Sequence, residues 1–409
     1  MSSAVTAAGI APEGAPPALL LRALAAVPAR VDMVAVRDGP SWIVGVNPEE
    51  VVTARGADAF ATLDGLESGW WAGFVGYDLG RAVERVRPRR PTDPAVPDLA
   101  LARFDARLVL DHDGARVEGT GRTRRLLGGF LTDAGRTPTA PAAAELEPWS
   151  SDLSQEAFEA RVRAAIDLIE AGECYQVNLT RRLNCPVSAD PLALFGALTH
   201  HNPAPHAALI RFRGISVVSA SPERFLRRRA CQVETRPIKG TAAEAAVLGA
   251  SAKDRAENVM IVDLARNDLG RVCEFGSVAV PQLCTIEAHP GLHHLVSTVT
   301  GTLRAGVGTG ALLRATFPPA SVTGAPKPRV LQAIEDLEAS PRGVYCGAVG
   351  WIDADREALD LNVAIRTFVT TPAGTELGVG AGIVADSDPA AEWRETELKV
   401  ARLLSATRS

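Results

Sequence analysis

The sequence predicts a mixed α/β fold, on three observations. Residues 252–269 and 390–404 repeat apolar side chains at helical spacing. Runs such as residues 173–181 and 233–238 have strand character and are bordered by glycine, Gly172 before the first and Gly240 after the second. From residue 153 onward these two patterns alternate along the chain.

Taken in order, residues 1–17 are rich in Ala, Gly and Pro and are expected to be disordered. Residues 31–36 and 42–46 read as strands around the Asp38-Gly39-Pro40 turn. Residues 68–80 set Trp70, Trp71, Phe74 and Tyr77 among glycines, which suggests strands in close approach. Residues 87–98 are Pro- and Arg-rich and read as an exposed loop. Residues 101–110 and 115–119 read as a hairpin around Asp113-Gly114. The aperiodic, Pro-containing stretch 135–148 reads as a linker. It divides an N-terminal region, 1–140, from a second region, 150–409. Ser154 is placed to cap a helix that carries Phe158, Val162, Ala165 and Ile169 on one face and ends at Gly172. In residues 173–181, Tyr175, Val177 and Leu179 alternate with Gln176, Asn178 and Thr180. One face is therefore expected in the core, and the polar face is available to line a site.

Composition narrows the function. A formal charge of -5 argues against a nucleic-acid partner. The apolar run 18–27 is interrupted by Arg22 and too short to span a bilayer, and no basic segment precedes it to make a secretion signal. The six cysteines form no C-x-x-C pair and no zinc-type spacing, as expected of reduced thiols in a cytoplasmic protein. Of 43 basic residues only four are lysine: Lys239, Lys253, Lys327 and Lys399. Arg keeps its proton, whereas Lys can lose one and become a nucleophile. Lys239 follows a strand-like run and precedes Gly240-Thr241, expected as a turn that would present it rigidly.

Two acidic pairs, Asp254 with Glu257 and Glu392 with Glu395, each stand three residues apart in a predicted helix. Residues at that spacing share a helix face. Two such helices would offer an all-oxygen site of the kind Mg2+ takes, although solvated acidic faces are common. The run Gly378-Val379-Gly380-Ala381-Gly382-Ile383 lets backbone N–H groups approach a carboxylate. No dinucleotide-binding G-x-G-x-x-G unit, Walker A loop, G-x-S-x-G elbow or H-E-x-x-H motif is present.

Several runs carry a joint pattern: Gly172-Glu173-Cys174-Tyr175-Gln176-Val177-Asn178-Leu179, Ser221-Pro222-Glu223-Arg224-Phe225 and Arg236-Pro237-Ile238-Lys239-Gly240-Thr241. Residues 254–271, His294-Leu295-Val296-Ser297-Thr298, Ser321-Val322-Thr323-Gly324-Ala325-Pro326-Lys327, Ala364-Ile365-Arg366-Thr367 and residues 380–399 complete the set. In order and spacing these runs resemble the chorismate-utilising enzymes, the family of anthranilate, aminodeoxychorismate, isochorismate and salicylate synthases. The resemblance covers residues 153–405 and, more loosely, the N-terminal region. It implies two large, mostly antiparallel sheets packed as a sandwich with outer helices. Lys239 stands where aminodeoxychorismate-forming members carry Lys and anthranilate-forming members carry Ala. Gln176 stands where isochorismate- and salicylate-forming members carry a water-activating Lys. Pro328 departs from the family run, and the helix there is expected to start at about residues 323–326.

The resemblance implies conversion of chorismate and ammonia to 4-amino-4-deoxychorismate, towards 4-aminobenzoate. Mg2+ would sit on Glu257 and Glu395, with Asp254 and Glu392 behind them. Arg366, Tyr345 and the backbone around Gly380, Ala381 and Gly382 would hold the enolpyruvyl carboxylate, with Lys399 nearby. Lys239 would attack C2 and Glu223 protonate the departing hydroxyl. His294 would lie near the ring, and Ser321, Gly324 and Thr241 would line the pocket. No glutaminase elbow is present, so ammonia would come from a separate glutamine amidotransferase subunit or from free ammonium. Two alternatives remain at this level: an anthranilate-forming enzyme with Lys239 a spectator, and a partner-binding subunit without catalysis. The intact Lys239, Glu223 and four carboxylates argue against the second.

Overall fold

A computed structural model describes residues 18–134, 146–289, 292–405 and 407. The expectation of disorder at residues 1–17 and most of the expected linker lie outside these residues. Two antiparallel sheets, one of eleven strands and one of ten, form the framework among the described residues. Helices pack on their outer faces and ends.

The two regions expected on either side of the linker share this framework. In the larger sheet Met33–Asp38 pairs with His206–Phe212, with Met33 opposite Arg211. In the smaller, Trp70–Val75 pairs with Ala348–Asp353, with Trp71 opposite Ile352. A common core fills the space between the sheets, where Phe74 stacks on Phe212 at 6.4 Å and Val34 and Val36 join Val349 and Trp351. The N-terminal strands thus extend both sheets at one end. The other end of each sheet is built from later strands alone, and there the candidate site forms.

The paired strands Met33–Asp38 and Ser41–Val46 and the capped helix Gln155–Glu170 match expectation, with Ser154 accepting from the Ala157 N–H at 3.3 Å. Four local readings change. Residues 101–110 are not one strand. Leu99–Phe104 pairs in the smaller sheet, and after Asp105 the chain crosses to the larger sheet as Ala106–Asp111. Apolar periodicity cannot record that crossing. Residues 68–80 form only one strand, Trp70–Val75, followed by a 3-10 turn, Tyr77–Ala82. Tyr175 is 73% exposed and precedes its strand, Gln176–Cys185, instead of joining the core. The helix that holds the second proline starts at Lys327, with Pro326 at its cap and Pro328 in the first turn, where its missing N–H costs nothing.

Because Phe74 fills the space between the sheets, Phe74→Ala should destabilise the protein by about 3–5 kcal/mol. Denaturant unfolding monitored by circular dichroism should show a single transition at lower midpoint. Two separated transitions would mean that the N-terminal strands fold independently.

Candidate functional site

A cavity of about 640 Å³ opens between the free ends of the two sheets. Every site residue expected from sequence lines it except Ala381 and Gly324. Ala381 is 1% exposed, because strand alternation turns its methyl into the core. Gly324 lies behind the wall, paired with Val177, where a Cβ would come within 2.0 Å of the Gln176 carbonyl oxygen. Three of the four lysines, Lys239, Lys253 and Lys399, face the cavity. The fourth, Lys327, is buried against Asp268 at 2.6 Å.

Lys239 lies within a strand, Ile238–Ala242, and not before a turn. Gly240 has φ +80° and marks a break in register against Leu292–Thr302. This bulge re-aims the side chains around it. A Cβ on Gly240 would meet the Asp254 carboxyl carbon at 2.8 Å, so the acidic helix also packs on this point. The half-buried Lys239 donates through Nζ to the Ser321 carbonyl at 3.2 Å. Burial holds its amine below the usual lysine range, against the opposing pull of Glu257 and Glu223. Glu223 is buried, and burial pushes its carboxyl up to about 7. Its Oε1 accepts from the Ile238 N–H at 3.4 Å, which ties the acid to the lysine's own strand. His294 is 2% exposed and shares a 2.9 Å hydrogen bond between Nδ1 and Thr241 Oγ1. Burial, with Arg366 adding to it, lowers this imidazole to about 3, so it is neutral at physiological pH.

The opposite wall presents hydrogen-bond donors of a kind that suits an anion. Among the described residues the Arg366 guanidinium has no hydrogen-bond or ion-pair partner. In Gly374–Ile383, Gly380 and Gly382 lie opposite Thr180 and Asn178. The Thr180 and Asn178 N–H groups point away from that partner strand, to Glu338 and to the Thr323 carbonyl. These are therefore non-hydrogen-bonded pairs, and the N–H groups of Gly380 and Gly382 point outward as well. Consistent with this, the Gly380 carbonyl accepts from Lys399 Nζ at 2.9 Å. The pairing with Thr367–Thr371 stops at Leu377, which leaves this edge open to the cavity. A Cβ on Gly382 would stand 2.7 Å from Gln176 Nε2 and 3.6 Å from Lys239 Nζ.

The carboxylates come from two helices on different sheets. Ala252–Gly270 packs on Leu292–Thr302 and Ile238–Ala242, and Pro389–Ser405 packs on Gly374–Ile383. Glu257 accepts from Gln176 Nε2 at 3.1 Å, and Glu395 pairs with Lys399 at 2.7 Å. Glu392 accepts from Ser387 Oγ at 2.6 Å, and burial raises its pKa. No three of the four bring oxygens within 4.8 Å of one another among the described residues. As a donor set they are all oxygen, half of them anchored by hydrogen bonds, which fits a hard divalent cation. Sequence reasoning missed Arg402 and Lys253 as lining residues. Spacing held the signal: Arg402 is seven residues from Glu395, and Lys253 four from Glu257, on the same helix faces.

The chain matches the model of the chorismate binding enzymes over residues 34–405 and belongs to that family. It is 40% identical to aminodeoxychorismate synthase component 1 of Klebsiella aerogenes over 342 residues, 81% of this chain and 76% of that one. Its counterpart from Escherichia coli K12 is 38% identical over 346 residues, covering 81% and 75%. The fold also matches the crystal structure of anthranilate synthase component I from Streptococcus pneumoniae, with a TM-score of 0.78 and 28% identity over 93% of each chain.

The Gly382 position allows a direct check. Gly382→Ala should keep the fold and lose at least about tenfold in turnover, since its methyl displaces Gln176 and crowds Lys239. Steady-state kinetics alongside a melting curve would test this, and parent kinetics would remove Gly382 from the site.

Proposed function

We propose that this chain converts chorismate and ammonia to 4-amino-4-deoxychorismate, towards 4-aminobenzoate, as the names of its aminodeoxychorismate synthase relatives suggest. The observation that carries the reading is Lys239, a desolvated amine facing a cavity with Glu223 near its strand. Arg366 and the Gly380 and Gly382 N–H groups receive the enolpyruvyl carboxylate; a guanidinium fork and paired N–H donors suit that group. Tyr345 closes this side of the cavity. Glu257 and Glu395, with Asp254 and Glu392 behind them, would hold Mg2+, which when bound neutralises the ring carboxylate and the local negative charge.

In the first step Lys239 Nζ forms a bond to C2, both conjugated ring double bonds shift by one position, and the C4–O bond breaks. The departing hydroxyl takes the Glu223 proton and leaves as water. Ammonia then bonds to C4, both double bonds shift back, and the C2–Nζ bond breaks. The proton that ammonia sheds returns to Glu223. His294, neutral and held by Thr241, supports the ring without carrying charge. Gln176 has no basic group, so water is not activated where isochorismate-forming relatives activate it.

The words "component 1" in the relatives' names suggest a second subunit; a glutamine amidotransferase in that place would supply the ammonia. No helix among the described residues is long and apolar enough to cross a membrane. Six free thiols fit a reducing cytoplasm.

The test is incubation of the purified chain with chorismate, Mg2+ and ammonium, with products identified by mass spectrometry. Aminodeoxychorismate is expected, and anthranilate would replace the proposal with the Ala-type chemistry. Withholding ammonia should leave a substrate adduct on Lys239 in peptide mass maps, absent from Lys239→Ala. An unmodified Lys239, together with parent turnover in Lys239→Ala, would overturn the nucleophile role.

The pH dependence has a definite sign. Glu223 must be protonated, and that form is lost as pH rises through about 7. Lys239 must be neutral, and that form is lost as pH falls, so adduct formation should pass through a maximum and fall on both sides of it. Glu223→Gln should abolish turnover, and a rate that climbs steadily above pH 7 would remove Glu223 as the acid.

Metal dependence is the companion expectation. EDTA should abolish turnover and added Mg2+ restore it, while Glu257→Ala stays folded and inactive. Full activity in EDTA would rule the cation out.

A further inference from the structure

Behind the glycine-bearing wall lies a buried ion pair that no step of the proposed reaction uses. The Arg342 and Glu338 side chains are 1% and 2% exposed and meet at 2.7 Å. Arg342 spends the rest of its fork on two backbone carbonyls, Nη1 on Val322 and Nη2 on Asn178, both at 2.7 Å. Glu338 Oε1 accepts from both the N–H and the hydroxyl of Thr180, at 2.8 Å each. The Tyr77 ring covers the guanidinium at 4.3 Å.

What the pair holds is specific. Asn178 and Val322 both line the cavity. Val322 follows Ser321, whose carbonyl receives the Lys239 ammonium or amine. Asn178 and Thr180 stand opposite Gly382 and Gly380. Two side chains therefore join the turn that contacts the lysine to the strand that backs the anion-binding edge. A buried ion pair is a weak source of stability, because desolvation cancels much of its attraction. Its planar, fixed geometry is better suited to setting positions.

We propose that Arg342, oriented by Glu338, is a positioning residue that fixes the Ser321–Val322 turn against the Asn178 strand and so aims Lys239 at its substrate. The proposal rests on the reading of Lys239 as nucleophile. Lys in place of Arg342 keeps a cation opposite Glu338 but cannot reach two carbonyls at once. Replacing the pair by apolar groups of similar volume keeps the packing and removes every one of these hydrogen bonds.

The experiment compares Arg342→Lys and the double variant Glu338→Leu/Arg342→Met with the parent. The first readout is the rate of Lys239 adduct formation at saturating chorismate without ammonia, per mole of protein folded by near-UV circular dichroism. Both variants are expected to slow it by about tenfold to a hundredfold. The second readout is reductive methylation of Lys239 by formaldehyde and borohydride, which needs no catalysis. It is expected to quicken at least about threefold as the amine leaves the Ser321 carbonyl. Parent rates in either folded variant overturn the proposal, and failure of both variants to fold makes the pair a strut and overturns it too. If the parent forms no adduct, the nucleophile reading fails on its own, and methylation alone then judges the positioning role.

Discussion

Desolvation of one amine and one carboxyl in a shared cavity is the constraint around which this protein is arranged. In water Lys239 and Glu223 would both be charged. Burial disfavours charge on either, so the amine moves towards its free base and the acid towards its protonated form. Those are the states that the proposed attack and proton donation require. The same desolvation gives neighbouring charges more reach. Glu257 and Glu223 pull the lysine back towards its cation, so the state of the amine depends on what else occupies the cavity.

The sheets make that cavity possible. Their N-terminal strands widen the sandwich at one end, and the inter-sheet core there fixes how the sheets face each other. At the other end the strands diverge from full pairing. The edge of Gly374–Ile383 beyond Leu377 is unpaired, and Ile238–Ala242 breaks register at Gly240. Unpaired N–H groups are a cost inside a protein. Here they face the cavity, next to the Arg366 guanidinium, which has no partner among the described residues. The two acidic helices then close the cavity from different sheets, so their carboxylates share one cavity only if the sandwich is assembled.

The residues of the site were legible because their chemistry is local. A lysine in an Arg-biased chain, acidic pairs at helical spacing and a glycine-rich strand are features of a few consecutive residues. The motifs then matched a family in order and spacing, and nearly all the residues they pointed to line one cavity. Ala381 and Gly324 show the limit. Both lie inside a motif, but one side chain turns into the core and the other position is a backbone crossing. A motif marks a stretch, and the fold selects which of its atoms face the ligand.

The sequence by itself determined many of the elements, the helix capped by Ser154, the chemical repertoire of the site and the family. Each depends on interactions within one turn of helix or one strand. Tertiary structure alone decided that residues 101–110 split between two sheets, that Gly240 is a bulge and not a turn, and that the strands between residues 33 and 119 share both sheets with the rest. It also decided that Arg342 reaches Asn178 and Val322. The physical reason is common to all four. Strand pairing and burial join residues far apart in the chain, and apolar periodicity records that a face is buried without recording against what.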